Sequence, residues 1–539
     1  MPITPYSGTW GQTQRLHLLR RTLFGASKSD IAAFANSSMT DMVTALLTLP
    51  AAAPTPPLVD YTPVALVAPV PPSTTSTPTQ DVAGQPWIHP TTVSESVNNS
   101  GRFNSLRGWM MGLMLQQDRN IREKMTLFWH NHIPTDIATV IGDAIHCYKY
   151  NALLRKHCLG NFKTLVRDMT TEPAMLIYLS GQSNQKNAPN ENYGRELQEL
   201  FCIGKDLSPS YTEADVQAAA KVLTGWRIDS TTLNSYFTAS RHTTTNKVFS
   251  SFYNNTTIIG RGAETNAAVA ALAGAAELDD LLNMIFAHPE VARYVVRRIY
   301  RFFVYYNIDA TVEANVIEPL ADLFRTGGYE IKPVMQALFT SQHFYDMASA
   351  NSCMIKSPLD HNLSLGRIFG LVLPADLLNL YRGFRYLNDE ADKQGQKAGN
   401  PPNVAGWPAY YQSPSFHELW ITADSLRKRK EFCDRLLTGS VNGTKVDVLA
   451  FTATLNNPDD PVLLIEEALS LLHPLPSDAA LKTSLKGILL SGQTSDYYWT
   501  TAWSNYVGAP TNTTFANTAR TRLQTLYQAI TNMAEFHLS

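Results

Sequence analysis

The sequence predicts a mainly α fold: a multi-helix globular protein with a small β-hairpin insert and long Pro-rich loops. Three observations predict it. Apolar residues recur at helical spacing in successive segments, as in Leu16, Leu19, Leu23 and Phe24, then Tyr193, Leu197, Leu200 and Phe201, then Val216, Ala219, Ala220 and Leu223. Helix-start chemistry precedes the last of these, with Thr212 followed by Asp215 three residues later. A change of character, with Thr, Ser and Asn interleaved among Tyr236, Phe237, Val248, Phe249, Phe252 and Tyr253, marks residues 229–262 as a hairpin or loop-rich insert.

Taken in order, residues 1–48 form an N-terminal helical region in which 12–48 read as two short helices, the first stopped by Gly25. Residues 49–100 form a Pro-rich wrapping segment. Nine prolines between positions 50 and 80 exclude a regular helix or central strand, and Leu58, Val59, Tyr61, Leu66 and Val67 supply apolar handholds on the surface. Residues 101–228 form a helical core: a long helix from Ser105 ending near His130, then Asp143 to His157, Phe162 to Ser180, 190–203, and a helix from Thr212. After the insert, a second helical lobe spans 263–387, with helices over Asn266 to Tyr306, Ala314 to Arg325 and Pro333 to Phe344. Residues 388–425 are irregular and aromatic-rich. C-terminal helices occupy 426–539, including Val462 to Leu472, Asp478 to Leu490 and Thr514 to Phe536. A chain of 539 residues exceeds what one core usually serves, so more than one lobe is expected.

The totals exclude several classes. With 44% hydrophobic and 17% charged residues the chain carries enough apolar surface for a folded core. A formal net charge of -2 provides no global basic field for nucleic acid or anionic membrane, and the short basic runs at Arg297, Arg298 and Arg301 and at Arg427 to Lys430 read as solvated helix faces. Five cysteines without a CxxC pair favour buried, reduced thiols over a disulfide framework. No apolar run approaches the ~18 residues of a membrane span. Met1 to Tyr6 has neither a basic nor an apolar leader region, so the sequence as written reads as cytoplasmic, or as periplasmic or secreted where a leader has been removed.

Two constellations carry chemistry. On a helix over 190–203, Asn192, Arg195, Glu196 and Glu199 share one stripe, opposite the apolar one. The stripe is either the wall of a polar pocket or a solvated ladder, since Glu191, Arg195 and Glu199 are i,i+4 partners. The amides Asn184, Asn187, Asn190 and Asn192 gather at its start, as groups that orient carboxylates do. The second constellation is Phe128-Trp129-His130-Asn131-His132-Ile133-Pro134. On one helix the two histidines point about 200° apart. They converge on a metal ion only if the helix ends at about His130; otherwise both serve the helix C-terminus. Lys356-Ser357-Pro358 admits a Ser/Lys nucleophile reading, but Ser before Pro more often starts a turn or helix. No phosphate-binding glycine loop, zincin motif or hydrolase elbow appears.

Several blocks, in order, resemble one bacterial family: His17 to Gly25 (HLLRRTLFG), Arg122 to Met125 with Trp129 to His132, Asn190 to Asn192 with Arg195 to Leu197, and Tyr211 to Glu213 with Asp215 and Val216. Leu223 to Trp226, Pro401 to Pro408 (PPNVAGWP) and Glu535 to Ser539 continue the series. Together they resemble the large bacterial proteins grouped as domain of unknown function 1800, over almost the whole chain. The resemblance implies no assigned activity. It implies a genomic neighbour, domain of unknown function 1501, that resembles alkaline phosphatases and sulfatases, and it places the His130/His132 and Glu191/Glu196 blocks in one family pattern. In that pattern the hairpin block carries His-Asp followed by Gly and Lys; here it reads His242-Thr243-Thr244-Thr245-Asn246-Lys247, so the acidic partner of His242 is missing.

The functional expectation is a metal-dependent enzyme, hydrolase or oxidoreductase. His130, His132 and Glu196 would bind zinc or iron, Glu191 or Glu196 would act as base, Arg195 would hold an anionic substrate group and Asn192 would orient it. The alternative is a non-enzymatic helical scaffold that docks a partner, such as the phosphatase-like neighbour, through loops around Trp407, Tyr410, Tyr411 and Trp420. Glycan binding is a weaker third reading, resting on aromatic content alone.

Overall fold

Local chemistry starts most helices where it should. Asp143 accepts hydrogen bonds from the amides of Ile145 and His146 and opens Ala144–Lys156, and Thr212 with Asp215 forms the expected capping box ahead of Glu213–Val222. Each such cap is worth about 1 kcal/mol. A computed structural model describes residues 3–64, 81–88, 97–137, 142–205, 207–349 and 353–539. The fold is mainly α, as predicted, and its described strands form three two-stranded antiparallel pairs. No helix among the described residues is long and apolar enough to cross a membrane.

Boundaries differ from the sequence reading where proline or backbone geometry intervenes. The N-terminal region holds three helices, Gln12–Thr22, Lys28–Ala33 and Met39–Leu46. The expected long helix ending near His130 is two helices, Asn99–Leu115 and Arg122–His132, and the second runs past His130 to His132. Pro173 opens a separate helix and divides Phe162–Thr170 from Pro173–Tyr178; Pro289 likewise separates Ala267–Ala287 from Glu290–Phe303. The irregular section begins later than predicted, because Leu377–Lys393 is one continuous helix. The 190–203 segment is an α-helix only over Asn192–Glu196 and widens to a π-helix over Leu197–Cys202.

The insert contains the strand pairs Trp226–Ile228 with Ser235–Phe237 and Lys247–Val248 with Thr257–Ile258. Described parts of the Pro-rich segment lie on the Asn99–Leu115 helix. Val59 is buried, the Trp87 indole donates to Ser105 Oγ at 3.0 Å, and Arg102 pairs with Asp81 in the interior. Leu66 and Val67 lie outside the described residues. All four cysteines outside position 353 are buried, and all five are reduced.

Chain ends and middle are stitched together. Ile355 bridges Leu538, the Lys356 amide donates to the His537 carbonyl at 2.8 Å, and the Ser539 amide donates to Met354 at 2.9 Å. This junction brings the Gln12–Thr22, Arg122–His132, Glu290–Phe303 and Pro358–Phe369 helices and the irregular 394–422 segment around one point.

Candidate functional site

Both predicted histidines are buried, and their rings diverge. Because the helix continues through His132, the imidazoles keep their helical separation. His130 Nε2 donates to the Thr135 carbonyl at 3.2 Å beside Tyr150 and Trp407, while His132 Nε2 donates to the Phe201 carbonyl at 2.9 Å among Phe128, Trp129, Phe162 and Tyr294. Burial pushes the His130 imidazole down to about 4; burial and then the Arg298 charge push His132 down to about 3, so both are neutral donors at pH 7. Among the described residues no three His, Cys, Asp or Glu side chains gather closely enough to hold an ion.

The two predicted blocks nonetheless touch, through backbone. A π-turn shifts the hydrogen-bond register, here with Ile203 N donating to Gln198 O at 2.9 Å, and leaves carbonyls to be satisfied from outside. His132 takes that of Phe201, the Tyr294 hydroxyl takes that of Leu200 at 2.9 Å, and Gln198 Nε2 takes that of Gly194 at 2.8 Å. His132 is therefore the side-chain partner of an irregular helix, a role that spacing alone does not reveal.

The polar stripe is largely the ladder. Arg195 pairs with Glu191 at 3.1 Å and with Glu213 at 2.6 Å, all three at the surface, and Asn192 is exposed. The amides are structural. Asn184 is buried between the Asn190 amide and the Ala220 carbonyl, and Asn190 Oδ1 accepts from the Asn192 amide. Glu196 stands apart: half-buried beside Glu199, its carboxyl is pushed up to about 7 by burial and then by that second negative charge.

The missing acid of the hairpin block is supplied from another element. Glu277, in the middle of Ala267–Ala287, accepts from His242 Nε2 at 3.1 Å and from the Arg261 amide at 2.6 Å, and pairs with Lys247. All three side chains are fully buried. Burial drives the Glu277 carboxyl upward, but hydrogen bonds from His242 and Lys247 outweigh it and hold the group below the ordinary range. The cluster staples the insert to the second lobe.

Sequence reasoning missed a second charge cluster. A partly open cavity of about 40 Å³ lies where the chain ends meet its middle, walled by Arg20, Arg21, Lys124 and Arg301 with Ser357 and Asp360. Arg20 and Arg21 close the last turn of Gln12–Thr22, Lys124 sits in the first turn of Arg122–His132, and Arg301 ends Glu290–Phe303. Arg301 thus faces inward, where a solvated helix face was expected. Ser357 caps Pro358–Phe369 by accepting from the Asp360 amide at 3.2 Å; this is the helix-start role its sequence context favours.

Asp360, paired with Lys124, is the one carboxylate side chain among these lining residues. Arg20 is spent on the carbonyls of Ser470, Leu471 and His473, whereas Arg301 Nε has no hydrogen-bond partner among the described residues and its guanidinium lies 5.4 Å from the Phe416 ring centroid. Just behind the wall, Lys356 Nζ donates to the Phe536 carbonyl at 2.7 Å and Arg429 to the Lys356 carbonyl at 2.8 Å. Burial lowers Arg20 and Arg21 to about 10 and Lys356 to about 7, the last also repelled by Arg20. The signal available in the sequence was Arg20-Arg21 set directly between Leu18-Leu19 and Leu23-Phe24, cations inside an apolar stripe.

A family model described as "Protein of unknown function (DUF1800)" matches residues 17–538. No curated protein and no solved structure matches the chain.

Proposed function

The chain belongs to the DUF1800 family of proteins of unknown function, so its activity has to be read from its own side chains, and we propose that it binds a small oxyanion in the cavity between Arg21, Lys124 and Arg301. The observation that carries this reading is the charge balance: four cations face one cavity with a single carboxylate side chain among them. Removing a cation from water costs several kcal/mol, and burial pushes Arg20 and Arg21 below the ordinary guanidinium range and lowers Arg301, whose Nε has no hydrogen-bond partner among the described residues. A bound anion offsets it. The space suits the ligand, since one water needs ~10–15 Å³ and the cavity therefore has room for about three, or for one phosphate, sulfate or carboxylate group. Guanidinium groups present the planar forks such oxygens accept.

Calorimetric titration of phosphate and sulfate, against chloride at matched ionic strength, tests the proposal. One site per chain is expected, weakened about tenfold or more in Arg301→Gln, in line with ~1.5–3 kcal/mol for a hydrogen bond to a charged group. Identical heats for phosphate, sulfate and chloride in the wild type would remove the reading.

A second reading keeps the predicted carboxylate. Glu196, with its carboxyl near 7 beside Glu199, has the proton affinity of a general acid or base at neutral pH. It is the feature of the 192–202 helix that supports an enzyme, and its titration is a separate measurement.

A further inference from the structure

We infer that the anion held in this cavity is carried on a flat aromatic body, which takes the place now filled by the ring of Phe416. The inference rests on the oxyanion reading above and adds the chemical class of the ligand. Its starting point is the second half of the wall. Besides the cations the cavity is lined by Phe302, Tyr306, Tyr410, Phe416 and Trp420. These rings already touch one another: Phe302 stacks on Tyr410 at 4.9 Å, Tyr410 meets Trp420 at 5.6 Å, and Tyr306 meets Phe416 at 5.6 Å. An inorganic ion has no use for such a surface, because it needs donors on every side. A ligand with an anionic head and a planar apolar body uses both halves.

Phe416 is the residue that yields. It is half-buried and lines the cavity, with the exposed residues Gln412, Ser413 and Pro414 before it in the chain and Glu418 and Leu419 after it. Its backbone sits at φ 42°, in the left-handed region that a bulky residue rarely occupies and that is held only when the surroundings over-determine it. Here the Phe416 amide donates to the Gln412 carbonyl at 2.9 Å, and the ring rests against the Tyr306 ring and the Arg301 guanidinium. Those two contacts are the ones an aromatic ligand reproduces: its ring lies on Tyr306 and under Arg301, and Phe416 moves out with its backbone strain relieved. The cavity as it stands, about 40 Å³, has room for the head group alone, so the body requires the volume of the Phe416 ring.

The test compares phenylphosphonate, methylphosphonate and inorganic phosphate by calorimetry on the full chain. Wild-type protein is expected to bind phenylphosphonate about tenfold or more tightly than the other two, from ring burial and stacking. In Phe416→Gly, a residue at ease at this φ, the phenyl preference is retained or grows while phosphate affinity stays within about twofold; in Tyr306→Leu it shrinks. Circular dichroism and a wild-type phosphate affinity show that each variant is folded. Equal affinity for phenylphosphonate and phosphate in the wild type overturns the aromatic body and leaves the oxyanion site standing. Binding of neither overturns both.

Discussion

Replacing His132 separates a structural imidazole from a metal ligand. Its Nε2 donates to the Phe201 carbonyl, freed by the π-helix, and its ring packs among Phe128, Phe162 and Tyr294. His132→Phe keeps most of the packing and removes the donor, leaving a buried carbonyl unsatisfied at about 1–3 kcal/mol. His132→Ala also opens a hole and costs about 3–5 kcal/mol in all. The pH dependence gives a second handle. The folded-state pKa, about 3, is depressed below the ordinary 6.5, so the unfolded chain binds the extra proton between these values. Stability from the neutral ring is therefore complete above pH 6.5 and falls as the pH drops toward 3. Between pH 7 and 5 this one group accounts for about 2 kcal/mol of lost stability, a term absent from His132→Phe. Reversible urea unfolding at the two pH values measures both effects: the variant is less stable than wild type at pH 7, and the gap closes by pH 5. Equal midpoints for wild type and His132→Phe at both pH values would refute the carbonyl-holding role.

Glu277→Gln removes the carboxylate shared by buried His242 and Lys247 and is expected to cost about 3–5 kcal/mol; limited proteolysis should then cut within 229–262 well before the helical lobes. Glu196 is expected to titrate near pH 7, read from its side-chain carboxyl carbon by NMR, and Glu199→Gln should move it down toward the ordinary range. Because this pKa is raised, any stability it adds is present below about 4.5 and lost as pH rises through 7. Gly406→Ala should loosen the 401–408 turn, since φ is +88° there and an added Cβ falls 2.3 Å from the Asn131 carbonyl oxygen; hydrogen exchange at the Trp407 amide, which donates to Asn131 Oδ1, reports it.

Helix presence was legible because the amphipathic spacing around Leu16, Leu197 and Val216 reflects real burial. The π-helix was not, since Tyr193, Leu197, Leu200 and Phe201 fit a 3.6-residue period over so short a stretch that a wider turn leaves the same pattern. Glu277 as the partner of His242 was hidden for another reason: the carboxylate lies 35 residues away on a different element. The cavity is the extreme case. Its wall draws on positions 20, 124, 301, 357 and 416, and each reads locally as a helix end, a cap or a loop. Only the meeting of the Gln12–Thr22 helix and residues 535–539 with the middle of the chain brings these separate positions into one cationic site.

The most direct test of that site is anomalous diffraction from a crystal soaked in selenate, a tetrahedral oxyanion of visible scattering. The account predicts a strong peak inside the cavity, within hydrogen-bond distance of Arg21 and Arg301, that is lost in Arg301→Gln. Selenate peaks confined to the molecular surface, with none between these residues, would contradict it.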